Sequence, residues 1–215
     1  MTISSLRTPE FITFTGLDAR TDLARALHIA TVYPVEFGVL FSGTRQGREP
    51  RYPDRKTITH IACAGLPRLA AHVCGGYAWR INTNTPTGLN LTPFRRVQVN
   101  HPSPDAGAIA REMEEWGRPR GVAQTRDLEF PASTMVDWLF DRSAGEGKAP
   151  EEWPQHPGGD RLVGYAGGIG PGNVGDVLRK IAATGPYWID MESGVRTDDW
   201  LDLDKVEAVC RAFYR

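Results

Sequence analysis

With 215 residues, 40% of them hydrophobic, the chain suits one large domain with a substantial core. Its 25 Lys and Arg balance 26 Asp and Glu, which removes any global argument for nucleic acid or an anionic membrane as a partner. Three cysteines, Cys63, Cys74 and Cys210, lack a zinc spacing, and their odd number argues against a disulfide scaffold. Residues 1–10 hold no apolar signal core and no apolar run reaches membrane-spanning length, so reduced thiols and a soluble, cytoplasmic protein are expected.

Phe11 to Thr15 is β-branched and aromatic, is closed by Gly16, and reads as a first strand. Asp22 to Val32 places Leu23, Ala26, Leu27 and Ala30 on one helical face and stops at Pro34. Val35 to Phe41 is a second strand. A polar loop from Ser42 to Lys56 then carries Arg45, Arg48 and Arg51, and loops of this length tend to be functional. Thr57 to Ala64 reads as a short helix and Arg68 to Cys74 as a third strand. From Gly75 to Pro93 no period is visible, so a regular third helix is not expected. Arg95 to Asn100 is the fourth strand, and Ala106 to Trp116 is a helix behind Pro104-Asp105.

Gly121 to Gln124, Met135 to Asp141, Leu162 to Ala166 and Tyr187 to Met191 are the remaining strands. Helices at Asn173 to Ala183 and Asp202 to Tyr214 follow the last two, and a second long loop spans Ser143 to Gly159. Trp79, Trp116, Trp153 and Trp200 are expected to pack, and His28, Cys63 and Cys210 fall in helical stretches as structural residues. Alternating strands and helices predict an α/β fold with a parallel sheet. Its form is a (β/α)8 TIM barrel, one domain over residues 1–215, with an irregular third βα unit. No Gly-x-Gly-x-x-Gly follows the first strand, which leaves a dinucleotide fold little support.

Two stretches near the C-terminus carry the chemistry: Ala166-Gly167-Gly168-Ile169-Gly170-Pro171-Gly172-Asn173-Val174, and Ile189-Asp190-Met191-Glu192-Ser193-Gly194-Val195. Each sets a small-residue turn behind a strand and ahead of a helical segment. Glycines there let backbone N–H groups approach an anion, and a helix start adds partial positive charge. The last two βα loops of a parallel barrel often grip a phosphate in this way. The plainer alternative is a pair of tight connections and nothing more.

On these residues the chain resembles phosphoribosylanthranilate isomerase, a tryptophan-pathway (β/α)8 barrel. The first stretch is similar to that family's Gly-Gly-Leu-x-Pro-x-Asn-Val, and the second to its Val-Asp-Val-Ser-Ser-Gly-Val-Glu. Weaker likenesses cover Phe11 to Tyr52, Val97-Gln98-Val99, and Leu139-Phe140-Asp141 with Gly145-Glu146-Gly147-Lys148. The resemblance implies an Amadori rearrangement of an aminoaldose phosphate, with a phosphorylated small-molecule ligand and no cofactor or metal. It implies Asp141 as the general acid and Arg51 as the holder of an aromatic carboxylate. Gly167, Gly168, Asp190, Ser193 and Gly194 become ligand-binding positions. Read without the resemblance, Asp141 is equally a loop-start capping carboxylate and Arg51 a solvated loop charge.

The chain departs from the family at the first strand. There the family has a cysteine before glycine as the base, and here the position is Thr15. A neutral hydroxyl cannot take a carbon-bound proton without a partner to deprotonate it. Glu192 replaces a serine beside the phosphate turn, and a carboxylate there repels an anion unless it points away or pairs with a cation. Replacement bases sit at strand ends or just beyond: His72, Cys74, His101 and Asp18. The sequence therefore supports a sugar-phosphate isomerase of this kind, with Asp141 and Thr15 as catalytic positions. It also leaves open a barrel that binds a phosphate ligand without turnover, or an isomerase or lyase on another phosphate ester.

Overall fold

A computed structural model describes residues 7–117, 120–143 and 147–214. Eight parallel strands close into a barrel in chain order, with the eighth hydrogen-bonded to the first. They are β1 (Phe11–Thr15), β2 (Val35–Ser42), β3 (Leu69–Cys74), β4 (Arg96–Asn100), β5 (Gly121–Thr125), β6 (Asp137–Asp141), β7 (Val163–Ala166) and β8 (Tyr187–Met191). Around them lie α1 (Leu23–Val32), α2 (Arg55–Ala62), α3 (Gly76–Asn82), α4 (Ala106–Glu115), α5 (Val174–Ile181) and α6 (Leu203–Phe213). Asp22, Asp54, Asp105 and Asp202 begin four of these helices, each accepting N–H groups of the first turn.

Successive strand residues face opposite sides. Ile12, Phe14, Phe37, Val39, Val97, Val99, Phe140, Tyr165 and Ile189 point outward into the core beneath the helices. Phe11, Val122, Leu139, Ala166 and Trp188 form a separate apolar cluster inside the barrel. Burial on both faces explains why the strands read as near-continuous apolar runs. Gly164 makes room for Trp188, since a Cβ there would lie 2.4 Å from the indole. Below, the Arg96 guanidinium sits 4.2 Å from the Trp188 ring centre and 3.3 Å from Glu36.

The third βα unit is more regular than its sequence suggests, for α3 occupies Gly76–Asn82. It escapes periodicity because it has only 7 residues, of which Ala78 and Ile81 are buried. Trp79 on this helix is 56% exposed, against the expectation that it packs. Among the described residues no helix follows β5 or β6. Trp153 covers the outer face there, packed on Phe140 and Tyr165 with ring centres 5.8 and 6.2 Å away. After β8, a 3-10 turn at Ser193–Val195 leads into a hairpin of β9 (Arg196–Thr197) and β10 (Trp200–Leu201). Asp198 and Asp199 form its two-residue turn with φ of 50° and 64°, the left-handed pair that such a hairpin requires. No helix among the described residues is long and apolar enough to cross a membrane.

Candidate active site

The C-terminal ends of the strands enclose a cavity of about 340 Å³ lined by Thr15, His72, Cys74, Asn100, Asp141, Asp190 and Glu192, among others. Inward-facing positions of β1, β3 and β8 converge at its floor. The Thr15 hydroxyl donates to Asp190 Oδ1 at 2.7 Å, and the His72 ring lies 3.4 Å from the same hydroxyl. His72 Nδ1 is 3.8 Å from Asp190 Oδ2. Gly38 on β2 permits this approach, because a Cβ there would stand 2.9 Å from both Thr15 Oγ1 and His72 Nε2.

Burial sets the protonation of this cluster. Asp190 is 7% exposed, and desolvation pushes its carboxyl up to about 7 against the Thr15 hydrogen bond, with the charges of Glu192, Asp141 and Glu36 adding to the rise. Desolvation, helped by the Arg96 charge, drops the His72 imidazole to about 3. His72 is therefore neutral at physiological pH, and Asp190 is poised to exchange a proton.

The other base candidates have different environments. Burial raises the Cys74 thiol to about 11, and Asn100 Nδ2 donates to its sulfur at 3.2 Å, so it is protonated near neutrality. His101 is turned onto its own loop, with Nδ1 2.8 Å from the Ser103 carbonyl. Asp18 is wholly buried beneath the mouth and paired with Arg196 at 3.3 Å.

Asp141 reaches the cleft from the end of β6, in register with Ala166, which is in turn in register with Asp190. The small Ala166 side chain thus separates two inward-facing carboxylates. Asp141 Oδ1 accepts from the Ser143 amide at 2.8 Å and from its hydroxyl at 2.6 Å. Of the three apolar residues before it, Leu139 shares its face, while Trp138 and Phe140 belong to the outer core.

The two glycine bends touch. A Cβ on Gly194 would lie 2.1 Å from the Ile169 carbonyl oxygen, and one on Gly168 would lie 2.2 Å from the Ala149 amide nitrogen. Asn173 locks the first bend, accepting from the Gly170 amide at 2.9 Å and donating to the Gly168 carbonyl at 2.8 Å. A depression beside the cleft is lined by Gly147, Gly168, Gly170, Pro171, Gly172, Asn173, Ser193 and Gly194, with the first turn of α5 behind it. Of the segment 145–148 singled out in the sequence, Gly145 and Glu146 lie outside the described residues, while Gly147 packs against Ser193.

The structure thus brings Thr15, Asp141, Gly167, Gly168, Asp190 and Ser193 to the cleft and Gly194 to the adjoining depression. Arg51 is not part of that lining. Its guanidinium donates to Glu192 Oε1 at 2.8 Å and from Nε to Asp199 Oδ1 at 3.1 Å. The Glu192 carboxylate therefore has the cation that the sequence required of it. Asp199 was not foreseen, and its only sequence signal is the Asp198-Asp199 pair between two short β-type dipeptides. Among the described residues no three His, Cys, Asp or Glu side chains gather to hold a metal ion.

Fold and site together define a parallel (β/α)8 barrel whose mouth sets the buried Asp190 and the half-buried Asp141 beside two touching glycine bends. The structure is similar to TrpF from Jonesia denitrificans, at 20% identity and TM-score 0.63 over 94% of this chain and 95% of that one. It is similar also to phosphoribosyl anthranilate isomerase from Thermus thermophilus, at 17% identity and TM-score 0.59 over 93% and 96% of the two chains. A third similar structure is a phosphoribosyl anthranilate isomerase in complex with reduced 1-(o-carboxyphenylamino)-1-deoxyribulose 5-phosphate, at 14% identity and TM-score 0.58 over 93% and 96%. At these identities the likeness is one of fold. No protein-family model matches the sequence, and no curated protein does.

Proposed function

We propose that the protein is a phosphoribosylanthranilate isomerase-like enzyme that rearranges a phosphorylated aminoaldose to the aminoketose. The observation that carries this reading is the contact of the two glycine bends beside a cleft in which Asp141 and Asp190 flank Ala166. The bends and the α5 N-terminus suit a phosphate, and a neighbour of the same fold holds a sugar phosphate.

In this reading Asp141 protonates the furanose ring oxygen, and the C1–O bond breaks with its electrons passing to that oxygen. The nitrogen lone pair forms the C1=N iminium. Asp190 removes the C2 proton, and the C2–H electrons make the C1=C2 bond as the C1=N π electrons return to nitrogen. The enaminol tautomerises to the ketone as its C2 hydroxyl proton passes to solvent and C1 takes back the proton held by Asp190. No oxidant is consumed. Thr15, at the position of the family's cysteine, holds Asp190 in place by its 2.7 Å hydrogen bond and does not act as the base alone. A carboxyl near 7 matches a base working at neutral pH.

Calorimetry with ribose 5-phosphate tests the ligand class: the wild type binds and Gly168→Trp does not. Equal binding by both ends the reading. A second reading, a barrel that binds without turnover, is favoured by Thr15 in the base position. The glycosylamine formed from ribose 5-phosphate and an arylamine separates the two, since NMR would show conversion to the ketosamine by the wild type and none by Asp141→Asn.

A further inference from the structure

The Arg51 guanidinium does not line the cleft and is held between two carboxylates from the loop after β8. Nη1 donates to Glu192, while Nε and Nη2 both donate to Asp199. The fork that recognises a planar carboxylate is already filled. Arg196 joins the same cluster, with Nε 3.8 Å from Asp199 and Nη2 3.3 Å from Asp18. Two guanidiniums thus face three carboxylates and the corner keeps a net negative charge, Arg51 and Arg196 opposing the rise that burial imposes on the Glu192 carboxyl. Glu192 lines the cleft and Arg51 does not, so a ligand reaching this wall meets the carboxylate of the pair.

Among the described residues, the other cations on this side are already engaged. Arg196 is turned beneath the mouth, donating to the carbonyls of Gly16 and Asp199 and to Asp18. Arg45 also lines the cleft, but its guanidinium lies over the Tyr52 ring, donates to the Tyr52 hydroxyl at 3.4 Å and stands 3.7 Å from Glu49. Arg126 is exposed and belongs to the opposite wall, one residue beyond β5.

Resting on the sugar-phosphate reading above, we propose that the ligand's nitrogen substituent is neutral or cationic and carries no carboxylate, and that Glu192 sets this preference with Asp199 by saturating Arg51. Asp199 is placed for the task by the β9–β10 turn, whose left-handed residues fix its side chain under the guanidinium. Removing the Glu192 charge frees one arm of the fork and cancels the net negative charge.

The experiment uses three probes in calorimetry with the full chain: ribose 5-phosphate, reduced 1-(phenylamino)-1-deoxyribulose 5-phosphate, and its o-carboxyphenylamino counterpart. The wild type binds the phenylamino compound more tightly than the carboxylated one, on the order of tenfold or more from like-charge repulsion. Glu192→Gln, which keeps the side chain's size, narrows or reverses that ratio, and Asp199→Asn moves it the same way. Taking the ratio cancels any effect of the lost charge on the shared phosphate. Preference of the wild type for the carboxylated compound overturns the inference, as does a ratio unchanged in both variants. If ribose 5-phosphate binds while the ratio fails, the sugar-phosphate reading stands and only this inference falls. If none of the three binds, both fall.

Discussion

The hydroxyl of Thr15 donates to Asp190 Oδ1 across 2.7 Å, tying the end of β1 to the end of β8 where the barrel closes. Behind this pair lies His72, 2% exposed and neutral. Two buried groups with opposite shifts share one site, and their effects on stability run in opposite directions.

Asp190 rises from 3.8 to about 7, so between those values the folded chain keeps a proton that the unfolded chain releases. Stability falls as pH rises through that window. His72 drops from 6.5 to about 3, so the unfolded chain takes up a proton that the folded chain refuses. Stability falls as pH is lowered through that second window. Where the windows overlap the slopes oppose, each up to about 1.4 kcal/mol per pH unit. Asp190→Asn removes the first slope, and its stability relative to wild type then declines on acidification from pH ~6.5 to ~4. His72→Gln removes the second, and its relative stability rises over the same range. Urea unfolding at several pH values checks both, and two variants that track the wild type in parallel would refute the assignment.

Thr15→Val keeps the side chain's shape and removes the donor. The Thr15 hydrogen bond opposes the desolvation of Asp190, so its loss raises the carboxyl beyond about 7. A buried acceptor left without its partner costs about 1–3 kcal/mol. Carboxyl NMR titration and urea midpoints are the measurements. A carboxyl unmoved in the variant would mean that the hydroxyl does not hold Asp190.

The barrel was legible because parallel strands covered on both faces leave apolar runs bounded by glycine and proline. β1 and β8 begin and end where those runs do. The α3 helix was not legible, since 7 residues with two buried positions show no period. The glycine bends stood out because Gly168 and Gly194 each bring backbone where a Cβ would collide. The cluster of Thr15, His72 and Asp190 was hidden for a different reason. Thr15 and Asp190 are 175 positions apart, and Arg51 and Glu192 are 141 apart. Strand alternation says which residues point inward, but only barrel closure and register decide which of them meet. Thus the need of Glu192 for a cation was readable, and the identity of that cation was not.

The glycines of the bends differ sharply in what they tolerate. Gly168 has φ of +58° and backbone atoms 2.2 Å from any added Cβ, whereas Gly172 has open space around it. Gly168→Ala therefore forces residues 148 and 149 off the bend, abolishes binding of ribose 5-phosphate and costs more than ~1 kcal/mol. Gly172→Ala leaves stability within about 0.5 kcal/mol of wild type. Thermal unfolding compares the two variants and calorimetry follows the Gly168 variant. Equal stabilities, or ribose 5-phosphate bound undiminished by Gly168→Ala, would detach the strained bend from the ligand.

Asp18 and Arg196 form the buried pair on which the loop after β8 rests. Gly16 makes the pair possible, for at φ +102° it brings its carbonyl to Arg196 Nη1, where a Cβ would lie 2.2 Å from that nitrogen. Asp18 accepts from the Leu201 amide at 2.7 Å and from Arg196 Nη2 at 3.3 Å, both through Oδ2. Burial lowers the Arg196 guanidinium from its ordinary value, and the Asp18 charge works against that loss. Asp18→Asn keeps an acceptor for the Leu201 amide and strips the guanidinium of its fully buried counter-charge, leaving the partly exposed Asp199 at 3.8 Å. The expected cost is about 3–5 kcal/mol. Arg196→Met in the same background removes the stranded charge, so the double variant loses less than the two single changes added together. Urea unfolding of the four proteins closes the cycle. Strict additivity, or an Asp18→Asn variant within about 0.5 kcal/mol of wild type, would show that the pair does not hold this loop.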